Sequence, residues 1–299
     1  MEQELLVAIF AGLGGMLGWG LADFFAKKTI DQIGDVSSLA WGHIFGTIAL
    51  ILMAVYQTSI IGNQFEIPNR LIVWLGIAGF GISQAAVYLF VYQGFGKGQV
   101  GVLSPIFASF SGITAILSIV IFKESLRSHT LLGMAILFLG IILINMDIGA
   151  LRERRFSFSH IPGFKEVAFA TFLASLWTLF WGRFLEGQNW LSYTLFMYAF
   201  MTLAILVVAK IKKTNMLGGM PSSMWKFLAL IGVCETGAYL SVSLGYSATS
   251  IISVVALLSG AFSLPTIILA RMFLKEKISG LQTFGGLVII AGIMILSII

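Results

Sequence analysis

Residues 110–140 read FSGITAILSIVIFKESLRSHTLLGMAILFLG, and residues 262–292 read FSLPTIILARMFLKEKISGLQTFGGLVIIAG. Laid over one another without a gap, 152 residues apart, they agree at Phe110/Phe262, Ser111/Ser263, Thr114/Thr266, Ile116/Ile268 and Leu117/Leu269. They agree again at Lys123-Glu124/Lys275-Glu276, Gly133/Gly285 and Gly140/Gly292. Apolar segments share isoleucines and leucines by composition alone. A Lys-Glu pair and two glycines held in register do not arise that way, so the chain carries an internal repeat.

Outward from these segments the whole chain divides in the same manner. Crossing a 30 Å hydrocarbon core takes about 20 apolar residues in a helix. Runs of that kind lie at 5–26, 37–56, 70–93, 99–122 and 129–147, and again at 163–184, 190–209, 224–247, 251–273 and 279–298. The composition agrees: 58% of the 299 residues are hydrophobic and 10% are charged. A soluble domain carries about 25% charged residues to wet its surface. The expected fold is therefore an all-α integral membrane protein of ten transmembrane helices, multi-pass in the cell membrane. Its expected units are a first five-helix repeat at 1–147, a basic linker at 148–162 and a second five-helix repeat at 163–299. Five is odd, so the second unit must enter the membrane from the opposite side. Inverted repeats of this kind are the architecture of many secondary transporters, with the solute site near the midplane.

Each half ends in an apolar helix, then Phe122-Lys123-Glu124-Ser125-Leu126 or Leu274-Lys275-Glu276-Lys277-Ile278, then a last helix bearing Gly133 and Gly140 or Gly285 and Gly292. This pattern resembles the EamA-type repeat of the drug/metabolite transporter superfamily. The opening Gly18-Trp19-Gly20-Leu21-Ala22-Asp23-Phe24-Phe25 is similar to that family's first helix. The resemblance spans the chain and implies a ten-helix carrier. It leaves the cargo open among amino acids, nucleobases, drugs, other metabolites and sugar derivatives.

The net charge of +5 does not point to nucleic acid, because the basic residues sit in short loops between apolar runs. Arg70, Lys123, Arg127 and Arg183 fall on the side of the termini and the other 14 of the 18 Lys and Arg on the opposite side. The positive-inside rule then places both termini outside the cytoplasm, against the habit of the resembling family. Cys234 is the single cysteine, and no His/Cys/carboxylate cluster reads as a metal site. Nor is any nucleotide-binding motif or cofactor expected. The expected partners are a small-molecule solute and membrane lipids, in a monomer or homodimer.

Within the apolar runs, ionisable residues single themselves out, because each costs about 2.5–3.5 kcal/mol at a helix centre and normally faces a cavity or partner. Glu235 is foremost, in the middle of the eighth run, and its counterpart under the 152-residue shift is Ser83 beside Gln84. It is the main candidate for proton coupling, against the alternative of a permanently protonated side chain bonded to a carbonyl. Asp23 and His43 are further candidates. Asp23 also has Lys27 at i+4, the spacing of an ion pair near a helix end, and His43 suits packing between helices equally well. Tyr88 follows Gln84, and Tyr239 and Ser243 follow Glu235, at one-turn spacings on equivalent helices. Trp19, Trp177 and Trp181 lie in the first helices of the two units. Together Trp19, Gln84, Tyr88, Trp177, Trp181, Glu235, Tyr239 and Ser243 are the candidate solute-binding residues, with ordinary packing as the competing reading.

The function this supports is secondary active transport of a small organic solute by alternating access, as an exporter or exchanger, with proton coupling. Alternatives are a lipid or polyprenyl-phosphate flippase and a non-transporting scaffold. A membrane-embedded enzyme is disfavoured because no nucleophile, metal-ligand or acid/base cluster is legible.

Overall fold

The computed structural model describes residues 2–97, 100–146, 161–216, 218, 220–275 and 277–298. Most of the basic linker, with Arg152, Arg154 and Arg155, lies outside them, as does Glu276. In chain order the helices are α1 (Glu2–Ile33), α2 (Asp35–Ser59), α3 (Leu71–Lys97), α4 (Val100–Phe122) and α5 (Ser128–Asn145). They continue as α6 (Phe164–Leu185), α7 (Trp190–Ile211), α8 (Met224–Ala248), α9 (Ile252–Ser259), a 3-10 turn at Gly260–Phe262, α10 (Ser263–Leu274) and α11 (Gly280–Leu296).

Nine spans among the described residues are long and apolar enough to cross a membrane, namely α1 to α8 and the kinked α9–α10 unit Ile252–Leu274. The last helix, α11, has 17 residues and rises about 25 Å. Most boundaries fall within a few residues of the apolar runs. The exception is α1, which continues past Ala26 to Ile33 because no Gly or Pro interrupts it until Gly34, at φ 79°. Asp23 accordingly stands well inside a helix and not near its end.

The repeat is visible in the packing. A Cβ added to Gly140 would lie 2.6 Å from the Ile289 amide nitrogen, and one added to Gly133 2.9 Å from that of Leu296. In the other half, Gly292 stands against Leu137 and Gly285 against Ile144 in the same way. Shifted by 152 residues, each contact becomes its partner, so α5 and α11 meet about a pseudo-twofold. The early part of α5 meets the late part of α11, and the two therefore run antiparallel. Small residues let the backbones approach this closely.

The Lys-Glu motif proves to be a backbone device. Lys123 and Lys275 end α4 and α10 in the left-handed region, at φ 54° and 56°, where a helix is closed. The turn at Lys123 aims Glu124 across the molecule at the first turn of α9. Its carboxylate accepts from the backbone N–H of Ile252 (2.9 Å) and Ser253 (3.2 Å), and from the hydroxyls of Ser118 and Ser253. A carboxylate at a helix N-terminus satisfies unpaired donors and complements the dipole.

The kink in the ninth span occupies Gly260–Phe262, just before Pro265. Ser104, beside Pro105, and Ser263 both donate to Asn145 Oδ1, at 2.8 and 3.0 Å. The two Ser/Pro segments of the sequence thus converge on the end of α5. Trp181, Tyr198, Tyr239 and Tyr246 are fully buried at the centre, while Phe10, Leu52, Val120 and Met272 point outward. An apolar exterior around an aromatic and polar centre is the distribution that lipid selects.

Candidate functional site

The site begins with two glycine-lined helix crossings. On α1, Gly18 lies against Cys234 and Ala238 of α8, Gly14 against Ser241, and Ala11 against Gly245. The helices are antiparallel, so Trp19 comes level with Glu235 and Asp23 with Ile231. Across α2, a Cβ on Gly232 would stand 2.7 Å from the Gly42 carbonyl. That approach sets His43 beside Glu235.

The Glu235 carboxyl group is almost wholly buried, at 4% exposure. It is nevertheless well served by donors. The Tyr88 hydroxyl donates to Oε1 at 2.7 Å and the Tyr198 hydroxyl to Oε2 at 2.8 Å. His43 Nε2 stands 3.5 Å from Oε1, its ring stacked on Tyr198 at 5.1 Å and 14°. His43 Nδ1 is 2.8 Å from the Leu39 carbonyl oxygen. A carbonyl oxygen only accepts, so Nδ1 carries a hydrogen, an assignment made from geometry. In a neutral ring Nε2 then presents a lone pair to Glu235. Two lone pairs facing one another repel, and a single proton on either group turns the contact favourable. The arrangement can hold a proton between a histidine and a carboxyl group.

Beneath this layer is a packed block. Gln84 Nε2 donates to the Tyr239 hydroxyl at 2.9 Å, and the Tyr239 and Tyr88 hydroxyls are 3.5 Å apart. Trp177 and Trp181 stack at 5.8 Å. Trp177 Nε1 donates to the Phe80 carbonyl at 2.8 Å, and Trp181 Nε1 to Ser243 Oγ at 3.4 Å. Trp19 meets the edge of Tyr239 at 5.3 Å.

Above lies a cavity with about 390 Å³ of empty space, counting the part open to the outside. Trp19, Ala22, Asp23, Ala26, Ser38, Leu39, His43, Tyr88, Tyr92, Ile231 and Glu235 line it. All these positions lie in the later halves of α1 and α3 and the earlier halves of α2 and α8, so the mouth faces away from the termini. That is the face on which 11 of the 15 described Lys and Arg lie. Among the described residues, no Lys or Arg lines the cavity itself. Three of the lining side chains carry a buried polar atom with no hydrogen-bond partner among the described residues: Trp19 Nε1, Ser38 Oγ and His43 Nε2.

The residues singled out in the sequence are thus brought together in two groups. Trp19, Asp23, His43, Tyr88 and Glu235 line the cavity, while Gln84, Trp177, Trp181, Tyr239 and Ser243 close its floor. Ser83 turns aside and donates to its own helix at the Phe80 carbonyl, so α3 reaches Glu235 through Tyr88. Tyr198 and Ser38 escaped the sequence reading. A signal for Tyr198 existed, since its counterpart 152 residues earlier is Gly46, against which its ring packs.

A sequence profile of the EamA-like transporter family matches residues 6–146 and again residues 165–298. An uncharacterised protein of Methanocaldococcus jannaschii is 26% identical over 147 residues, a stretch covering 48% of this chain and 93% of that protein. A solved crystal structure superposes with a TM-score of 0.75 at 16% identity, covering 97% of this chain and 96% of that one, which shows a shared fold.

Proposed function

We propose that this chain, which belongs to the EamA-like transporter family and is a multi-pass membrane transporter, carries a small organic solute through the Glu235 cavity with proton coupling. The observation that carries the reading is the buried carboxyl group of Glu235, held by two tyrosine hydroxyls and facing His43 at the base of an open cavity. An ionisable group this deep in a membrane helix marks a solute or proton path by default.

In the mechanism, a proton resides on the Glu235–His43 pair when the solute is absent. Solute arriving from the mouth takes over the carboxylate's interactions and releases that proton. The floor of Tyr239, Trp177 and Trp181 blocks passage toward the termini, so the described conformation is the one open on the basic face. Rocking of the two five-helix units about the α5–α11 axis, with α11 as a tenth span, opens the opposite side. By the positive-inside rule the mouth faces the cytoplasm, and net transport runs outward as an exporter or exchanger. The absence of Lys and Arg from the described lining residues disfavours anionic lipid headgroups and so the flippase alternative.

The test is solute flux in proteoliposomes under an imposed pH gradient, with amino acids, amines, nucleobases and organic cations as cargo. The reading requires at least one solute to move in a gradient-dependent manner and Glu235→Gln to abolish the gradient dependence. Flux that Glu235→Gln leaves fully gradient-driven would overturn it.

A further inference from the structure

We propose that the solute is a short aliphatic diamine, its two ammonium groups received by Asp23 and Glu235. This inference rests on the transport reading above and names the substrate class of the same cavity.

The register of α1 against α8 sets the depth of each carboxyl group. Gly18 packs against Cys234 and Ala238, and Gly14 against Ser241, which sets Glu235 level with Trp19. Asp23 lies four residues beyond Trp19, or about 6 Å along the helix axis. The cavity is therefore layered. Glu235, His43, Tyr88 and Trp19 form its base, and Asp23, Ser38 and Tyr92 stand one turn nearer the mouth. Among the described lining residues, each layer contains one carboxyl group, and no Lys or Arg neutralises either.

A single ammonium satisfies one layer and leaves the other carboxyl group with no cation beside it among the described lining residues. An inorganic cation has no use for the aromatic surface between the layers. Two ammonium groups joined by about four methylenes span a gap of about 6 Å and answer both layers at once. The alkyl chain then lies along Trp19, Tyr88 and Tyr92, whose ring faces attract ammonium groups while their area covers methylenes.

Of the three unpartnered lining atoms, Trp19 Nε1 is a donor and takes no part, while the two that can accept fit the same occupant. Ser38 and His43 are 3% and 1% exposed, and Ser38 Oγ and His43 Nε2 both lack a hydrogen-bond partner among the described residues. With Nδ1 committed to the Leu39 carbonyl, neutral His43 offers Nε2 as an acceptor, which suits an ammonium donor at the base. Ser38 offers an acceptor oxygen in the mouth layer. A zwitterionic amino acid of similar length is matched less well, because its carboxylate would face Asp23 or Glu235.

The purified full-length protein is titrated with 1,4-diaminobutane, 1-aminobutane, 4-aminobutanoic acid, 1,2-diaminoethane and 1,8-diaminooctane, with thermal stabilisation as the readout. The expected result is at least ten-fold tighter binding of 1,4-diaminobutane than of the monoamine and of both the shorter and the longer diamine. Asp23→Asn should reduce the diamine to the affinity of the monoamine, and Glu235→Gln should weaken both. The chain-length series on the unaltered protein stands even if Asp23→Asn does not fold. Monoamine binding equal to that of the diamine, or a preference unchanged in Asp23→Asn, overturns the inference. Binding of a different solute class that depends on Glu235 overturns it too, while leaving the transport reading intact. If none of these compounds binds and no solute moves in proteoliposomes, both fall.

Discussion

Tyr198→Phe removes one hydroxyl from the centre of the molecule and leaves the ring that stacks on His43. Tyr198 is fully buried, and its hydroxyl donates to Glu235 Oε2 at 2.8 Å. A hydrogen bond to a buried carboxyl group contributes about 1–3 kcal/mol. For a chain of this size that corresponds to a fall of about 2–6 °C in melting temperature, at roughly 2 °C per kcal/mol. The contact itself is isolated by a second background. In Glu235→Met the acceptor is gone, the Tyr198 hydroxyl is already unsatisfied, and Tyr198→Phe should be neutral or slightly stabilising. The four proteins are melted in the same detergent and the non-additivity is read directly. A coupling of at least about 1 kcal/mol is expected, well above the 0.3–0.5 kcal/mol within which independent sites add. Equal losses in both backgrounds would show that Tyr198 does not hold Glu235, and the site as described would be wrong.

Gly140→Ala and Gly292→Ala each force a Cβ against the backbone of the facing helix and should cost about 1–3 kcal/mol apiece. Gly79→Ala and Gly237→Ala, with open space around the added carbon, should be neutral or gain up to about 1 kcal/mol from helix propensity; melting curves separate the pairs. Glu124→Ala strands the first N–H groups of α9 and the Ser118 and Ser253 hydroxyls, and should cost about 1–3 kcal/mol, whereas Lys123→Gly at φ 54° should be tolerated. In a Cys234→Ala background, Ser38→Cys at the cavity should react with a water-soluble maleimide and Ser243→Cys beneath the floor should not. With membrane-impermeant reagent on intact cells, Ser38→Cys should stay unlabelled until the cytoplasmic face is exposed, as the charge distribution requires.

The membrane class and the repeat were legible because both rest on one-dimensional signals: runs of apolar residues, and a Lys-Glu pair and glycines in register. The pairing of α5 with α11 was not legible there: the glycines marked the repeat, and only the structure shows them to be where the two backbones meet. Glu235 stood out because a carboxyl group amid apolar residues is expensive. Its partners were harder. Ser83, the counterpart by sequence shift, is turned away, because the shift fixes backbone correspondence and not side-chain direction. Tyr88 reaches the carboxylate from one turn further along. Tyr198 lies in an apolar run where a tyrosine looks like a lipid or packing residue, and only the third dimension brings its hydroxyl to Glu235. Asp23 was read as standing near a helix end because the apolar run stops at Ala26. The helix continues to Ile33 since charged residues outside the hydrocarbon core need no helix break. Glu124, legible in the sequence only as part of the repeated Lys-Glu pair, reaches the first turn of α9 through a turn whose left-handed lysine leaves no trace in composition.

The central claim is that solute and proton share the Glu235 site, and proton release on binding tests it most directly. The purified protein in weakly buffered detergent solution, with a pH indicator present, is mixed with saturating solute. The account predicts acidification of the solution by the unaltered protein and none by Glu235→Gln. Solute binding with no proton release, or release undiminished in Glu235→Gln, would contradict it.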